Sequence, residues 1–532
     1  MPHVQIPPAH RWFAHQVEDR LLPRLESHGL VMHSVLAVHR DELVYETYWH
    51  PYSQDRQHRL YSAGKSLVAL AVGVLIDDGA LDINERVIDF FSEYSAEAHP
   101  WVQQMQVVDL LTMRTAHASS TYSRVADPDW VRTFFTSAPT RPPGAIFSYD
   151  TSATLVLTAL VEKLSGEPFE VFFHQRIGRH IGMQPLRALR SPLGLPQEHF
   201  HHRPTWREVA ENPQGVAHGG SGLLAAPRDL ACIAHLMMSG GRAGGTQLVS
   251  TEYLETAVSA QTPTVTGDFS HPEAQFGYGY QFWRGRGDSW AAWGMGGQIM
   301  LVAPALHTAV IVTGDNQHLE SDAQLLHDAL WDELLTPLKE ASILGADETG
   351  SPIPTEAVHV PALSIPEHRD APRSLTPVAG VALPATGPFS RRWEIRSPHA
   401  CPEASGRSDD SPAAQQPGDF TALELTCTPD GGDLVLITKE GERRTFPYRV
   451  NGHAEHPLPG YGYEAHTSGA WADERTLLLH VHVVGDWLAQ IQMLLTVTPG
   501  TVVCRMKASA EFFAEEYDGV LLGQRDAEEP TI

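Results

Sequence analysis

Lysine is scarce in this chain: only Lys65, Lys163, Lys339, Lys439 and Lys507 occur among 532 residues, and arginine carries most of the positive charge. Basic residues number 38 against 64 acidic ones, a net charge of −26. That balance excludes the basic surface on which nucleic acid or an anionic membrane would bind. Cysteine is as rare. Cys232, Cys401, Cys427 and Cys504 lie far apart, with no C-x-x-C and no disulfide-framework spacing. No apolar run is long enough to span a bilayer. The opening Met1-Pro2-His3-Val4-Gln5 lacks the cationic and apolar regions of a secretory leader. Together these absences predict a soluble protein of a reducing, cytoplasmic compartment, with neither nucleic acid nor membrane as a partner. H-E-x-x-H is missing too, and the His480-Val481-His482 pair has no third ligand in view, so no metal and no cofactor are expected.

Against that scarcity, the placement of Lys65 is informative. Ser62-Ala63-Gly64-Lys65 opens the most apolar stretch of the chain, Ser66-Leu67-Val68-Ala69-Leu70-Ala71-Val72-Gly73-Val74-Leu75-Ile76. On a helix, residues three apart share a face, so the Ser62 hydroxyl and the Lys65 amine become neighbours. A helix apolar on all sides is buried, which takes the amine out of water. A buried ammonium without a partner costs several kcal/mol, so such a lysine finds a partner or sheds its proton. A neutral amine beside a hydroxyl is a base beside a nucleophile.

At 42% hydrophobic and 19% charged residues, the composition is that of a globular protein with room for more than one core. Two apolar runs inside residues 31–48 predict a β-hairpin. Helices are expected over the Ser62 stretch, over 107–113, from Asp150 to Leu164 with Gly166 as its stop, and over 228–238. Strands are expected at 278–283, 298–302 and 309–312. A Pro-, Ala- and acid-rich segment over 341–374 reads as a linker, and 404–419 as a polar insertion loop. Beyond them, alternating runs at 420–425, 433–437, 475–483 and 490–497 predict a β-barrel or sandwich. The expected domains are thus 1–340 and 375–532.

Two further places suit chemistry. Arg141-Pro142-Pro143-Gly144 marks a turn, after which Tyr149 stands at the entrance of the Asp150 helix, where a phenol can project into a cleft or simply pack on the first turn. Trp293-Gly294-Met295-Gly296-Gly297-Gln298 places glycines at the head of a strand. Such glycines suit either a bulge or a backbone that something must approach closely.

The order Ser-x-x-Lys, then a tyrosine at a helix entrance, then a glycine-rich strand resembles the penicillin-recognising serine hydrolases, which include class C β-lactamases, DD-peptidases and related esterases and amidases. Leu110-Leu111-Thr112-Met113, Phe147 to Gly166 and Gly219-Gly220-Ser221-Gly222-Leu223-Leu224 fit the same pattern, over about residues 30–335. The resemblance implies an α+β fold, an antiparallel sheet flanked by a helical cluster. It implies Ser62 as acylating nucleophile, Lys65 as its base partner and Tyr149 as the tyrosine of a Y-x-N motif, with Thr151 in place of the asparagine. Met295-Gly296-Gly297 would be the third motif, and the backbone N–H groups of Ser62 and Gln298 the oxyanion hole. Met295 replaces the cation that lactam- and peptide-cleaving members use to hold a substrate carboxylate. The expected function is therefore hydrolysis of a small-molecule ester or amide through a Ser62 acyl-enzyme, with weak or no β-lactamase activity. His117, His218 and Arg284 are candidates to supply the missing cation. The competing readings are a D-amino-acid-type peptidase or β-lactamase, and a non-catalytic binding protein on the same scaffold.

Overall fold

The computed structural model describes residues 8–125, 127, 129–189, 215–265, 271–319, 321–344, 373–375, 377–380, 387–395, 419–510 and 515–525. The helices used below are α1 (Pro8–Gln16), α2 (Gly64–Asp77), α3 (Val107–Leu111), α4 (Trp130–Thr136), α5 (Thr151–Ser165), α6 (Pro227–Met238) and α7 (Asp322–Leu330). The strands of the same region are β1 (Met32–His39), β2 (Glu42–His50), β3 (His58–Arg59), β4 (Arg187–Ala188), β5 (Leu223–Ala225), β6 (Trp283–Arg284), β7 (Trp290–Gly294), β8 (Gln298–Ala303) and β9 (Thr308–Gly314).

Burial on all sides explains α2. Val68, Val72, Val74 and Ile76 are β-branched and mildly disfavour a helix, yet every residue from Gly64 to Leu75 is buried, and tertiary packing outweighs propensity. Helix α5 is set by its ends. The Asp150 side chain accepts the Ser152 N–H at the N-terminus, and Gly166 at φ +71° closes the other end in the left-handed region that suits glycine.

The main sheet contains the order β2-β1-β9-β8-β7-β6, antiparallel throughout. Its side chains alternate between two cores. Leu36, Val38, Met300, Val302 and Ile311 join the core shared with α2, α5 and α6. Val35, Ala37, Leu301, Val310 and Val312 join a second core with α1 and α7. Cover on both faces accounts for the continuous apolar runs in these strands. The strand expected over 278–283 is shorter than its pattern: only Trp283–Arg284 pairs as β6. Gly277 (φ +107°) and Gln281 (φ +60°) break the extended course, and Gln281 turns inward to hydrogen-bond α3.

The chain divides into two compact units, 1–373 and 374–532. Within the second are β10 (Phe389–Ile395), β11 (Phe420–Thr428), β12 (Gly431–Thr438), β13 (Arg443–Arg449), β14 (Ala454–Pro457), β15 (Glu464–Trp471), β16 (Thr476–Val483), β17 (Ala489–Val497), β18 (Thr501–Ala510) and β19 (Gly519–Gln524). Nine of them form a closed barrel in the order β13-β12-β11-β10-β19-β18-β17-β16-β15, and β15 meets β13 again through the pair Arg449–Ser468. Strand β14 adds to β15. Side chains including Trp393, Leu425, Phe446, Trp471, Leu479 and Met493 are buried in this unit, so it has a core of its own. The segment 345–372, most of the expected linker, and all but the last residue of the expected insertion loop over 404–419 lie outside the described residues, as does Cys401. Cys232, Cys427 and Cys504 are free thiols and buried. Among the described residues no helix is long and apolar enough to cross a membrane.

Candidate active site

Strand β3 leads to Ser62. His58 and Arg59 pair with β5, and Leu60 N–H donates to the Leu223 carbonyl at 2.9 Å. One 3₁₀ turn, Tyr61–Ala63, then leads into α2. Ser62 therefore sits on that turn, just ahead of the helix. Its neighbour Tyr61 holds φ +47°, a strained conformation that a bulky residue keeps only when its surroundings impose it. Those surroundings include Arg59. This buried guanidinium lies 4.2 Å above the Tyr61 ring and donates to Ser221, at 2.9 Å to its carbonyl and 3.2 Å to its hydroxyl.

Lys65 is 1% exposed. Its Nζ lies 3.0 Å from Ser62 Oγ and 2.7 Å from the Gly220 carbonyl. Desolvation lowers its pKa from 10.5 to about 7, against an opposing pull from Asp150. The amine is thus poised between its two charge states near neutrality, and in its neutral form it can accept a proton from the serine.

Tyr149 completes the cluster. The extended backbone before α5 sends successive side chains to opposite sides. Asp150 turns into the core, where it caps α5 and accepts Thr115 Oγ1 at 3.1 Å, while the Tyr149 ring lies 4.8 Å from Lys65 Nζ. Burial pushes the phenol pKa well above its ordinary value, and a hydrogen bond with Ser62 pulls the other way. Thr151 donates its N–H to Ser120 Oγ at 2.8 Å, and its methyl packs beneath the backbone of Gly220. A Cβ on Gly220 would lie 2.7 Å from that methyl, and one on Gly219 2.2 Å from Thr158 Oγ1. The glycines let this loop come close enough for its carbonyl to reach Lys65.

A third wall comes from the β7–β8 turn. Gly294 packs directly on the turn that carries Ser62, since a Cβ there would lie 2.2 Å from the Leu60 carbonyl. Gly296 (φ +77°) and Gly297 (φ +94°) occupy left-handed conformations. The Gly296 carbonyl accepts Asn316 Nδ2 at 3.1 Å, and its N–H binds the Asp322 carboxylate. The Gln298 side chain is spent inside the fold, donating to the Met295 and Gly314 carbonyls at 2.9 Å each, and the residue is fully buried opposite Gly294. Met295 is 43% exposed.

Aromatic rings continue from Tyr149. It stacks on Trp283, with centroids 5.7 Å apart and planes within 19°; Trp283 in turn meets Tyr278 at 4.9 Å and Trp293 at 5.3 Å. None of the three residues considered as a substitute cation is placed against Met295 by a described contact. His117 is buried and donates Nε2–H to the Phe134 carbonyl. His218 packs on Tyr122 and Trp130. Arg284 donates to the Val258 carbonyl and pairs with Asp288. His480, of the possible metal pair, is engaged by Gln490 at 2.8 Å.

Sequence reading missed Arg59, Gln281 and the Gly220 carbonyl. Gln281 is a buried hub: its carbonyl accepts Ser66 Oγ, its Oε1 accepts Thr154 Oγ1, and its Nε2 donates to the Leu110 and Leu111 carbonyls. It thereby ties α2, α5 and α3 together around the cluster. Glycine crowding at 219–222 was the one visible sign of the loop's close approach.

A helical cluster on an antiparallel sheet, with a Ser-x-x-Lys pair and a tyrosine meeting where they join, defines the class of penicillin-recognising serine hydrolases. The Beta-lactamase family description matches residues 14–335, and the chain belongs to that family. It is 24% identical over 266 residues to a 6-aminohexanoate-dimer hydrolase of Paenarthrobacter ureafaciens, an alignment covering 47% of this chain and 63% of that relative. The chain thus spans less than two thirds of the curated relative's length. Among solved structures, it is similar to an octameric penicillin-binding protein homologue from Pyrococcus abyssi, with TM-score 0.46 and 13% identity over 96% of this chain and all of the other. A penicillin-binding protein homologue from Caulobacter crescentus gives TM-score 0.48 and 16% identity over 62% of this chain and 99% of the other.

Proposed function

We propose that the protein hydrolyses an ester or amide bond through an acyl-enzyme on Ser62. The observation that carries this reading is the buried Lys65 amine 3.0 Å from Ser62 Oγ, with a pKa lowered to about 7. In its neutral form Lys65 takes the Ser62 proton as Oγ attacks the substrate carbonyl. The oxyanion is held by the backbone N–H groups of Ser62 and Gln298. The proton passes through Tyr149 to the leaving alcohol or amine, and the C–O or C–N bond breaks. Water, deprotonated by the same pair, then attacks the acyl-enzyme and releases a carboxylic acid and free Ser62. Met295 brings no charge to the third wall, which favours substrates without a carboxylate over β-lactams and D-aminoacyl peptides, since an ion pair in a partly buried cleft contributes up to about 4 kcal/mol.

Incubation with a fluorophosphonate, read by intact mass beside Ser62→Ala, tests the proposal. One adduct per chain on the parent protein, none on the variant, and Ser62-dependent turnover of a p-nitrophenyl ester are the expected results. No adduct and no ester cleavage would leave a binding protein on the same scaffold. Rapid nitrocefin cleavage would return the protein to the lactamases.

A further inference from the structure

Exposed apolar side chains recur in the chain segments that carry the proposed site. Met113, Phe147, Ala274, Tyr278 and Trp283 form a small buried cluster, and Tyr149 and Trp293 are the members that keep exposed surface. The chain segments feeding this cluster carry large apolar side chains in the open: Ile146 and Phe276 are each 50% exposed, and Met295 43%. Val265, 69% exposed, follows Thr264, whose hydroxyl accepts the Gly277 N–H at 3.0 Å. Of nine large hydrophobics exposed among the described residues, four therefore belong to these few loops. Scattered exposed hydrophobics need no explanation, whereas a group beside a reactive centre marks a ligand surface. Resting on the acyl-enzyme reading of Ser62, we propose that the substrate carries an extended, uncharged apolar group beside its scissile carbonyl. This group lies over Tyr149 and Trp293 and reaches the rim formed by Ile146, Val265, Phe276 and Met295.

The chemistry favours a neutral occupant. Trp293 packs on the apolar core beneath the sheet and meets the rings of Trp283, His271 and His327, and Met295 adds a polarizable thioether suited to irregular apolar contact. No lysine or arginine is among the described ring contacts of Trp293, so a carboxylate laid there would lose water with no more than an imidazole to meet it.

Two ester series test the inference on the full-length protein: p-nitrophenyl esters with the acyl chain lengthened from two to eight carbons, and acetate esters with the alcohol lengthened likewise. In at least one series kcat/KM should rise about threefold per added methylene until the rim is covered. A p-nitrophenyl ester whose chain ends in a carboxylate should fall at least about tenfold below its methyl-ended equivalent. In the double variant Ile146→Ser/Phe276→Ser, whose changes are on the surface and leave the core intact, the ratio of long-chain to acetyl kcat/KM should drop about tenfold. If Ser62-dependent cleavage of short esters is present but both series are flat, this inference fails while the hydrolase reading stands. If Ser62 neither labels nor turns over any ester, the hydrolase reading itself fails. A slope that survives undiminished in the double variant also overturns the rim. So does sedimentation in which the double variant only converts a dimer to monomers, since the patch would then be a contact between copies.

Discussion

In the proposed reaction Lys65 is asked to be both buried and reactive, and the two demands pull against stability. With its folded pKa near 7 and its free value at 10.5, the unfolded chain binds one more proton than the native chain throughout that interval. Stability should therefore rise with pH from about 7 to 10.5, by up to about 1.4 kcal/mol per unit, and the burial penalty is felt in full below 7. Urea unfolding of parent and Lys65→Met proteins at pH 7, 8 and 9 checks this. The variant should be inactive, more stable at pH 7, and free of the parent's extra slope. The rate of ester cleavage should show an acid limb centred near pH 7, where Lys65 loses its proton. Arg59 works on the same geometry from outside the reaction. It joins the strained residue before Ser62 to the residue after Gly220, so it fixes the relative placement of hydroxyl, amine and carbonyl. Lysine cannot both stack on Tyr61 and donate twice to Ser221. Arg59→Lys should lower kcat about 10- to 100-fold with KM nearly unchanged, because an ångström of displacement costs about that much. Equal kcat in the two proteins would deny Arg59 this role.

The glycines of the β7–β8 turn tell the same story for whole elements. Gly294→Ala drives a methyl into the Leu60 carbonyl, so β7 or the turn carrying Ser62 must move; a loss of roughly 100-fold in the proposed acylation rate and a lower Tm are expected. Gly166→Ala is the control. Its φ, unlike that of Gly294, is left-handed, yet a Cβ there meets nothing within 4 Å, so it should cost about 1 kcal/mol of stability and leave acylation intact. Fluorophosphonate labelling rates and thermal melts of the two variants separate these outcomes. Helices α2 and α5 could be read from sequence because burial and caps are local signals. The 278–283 strand could not, because the backbone of Gln281 is set by partners on three helices. For the site, Ser62, Lys65 and Tyr149 carry their chemistry in residue type and spacing. The Gly220 carbonyl, 155 residues from Lys65, and Ser221, 162 residues from Arg59, become partners only through tertiary approach, and a backbone carbonyl leaves no letter in a sequence.

At the scale of the whole molecule, two units with separate cores should unfold in two steps. Calorimetry should resolve two transitions, and the Ser62 adduct should shift only the one belonging to residues 1–373. A single transition moved as one block by the adduct would mean the units are energetically inseparable. The net charge of −26 adds a second expectation. Cleavage of an anionic ester should speed up as salt screens repulsion, whereas cleavage of a neutral ester should respond far less.

Parity has a consequence in the barrel. Neighbours of opposite direction can close a ring only in even numbers, and this ring has nine members, so one join must run the same way on both sides. That join is the lone Arg449–Ser468 pair, while every other neighbour is zipped antiparallel. With so few rungs, the seam is where the wall should part first, and amide protons near residues 449 and 468 should exchange with deuterium ahead of those along Thr476–Val497.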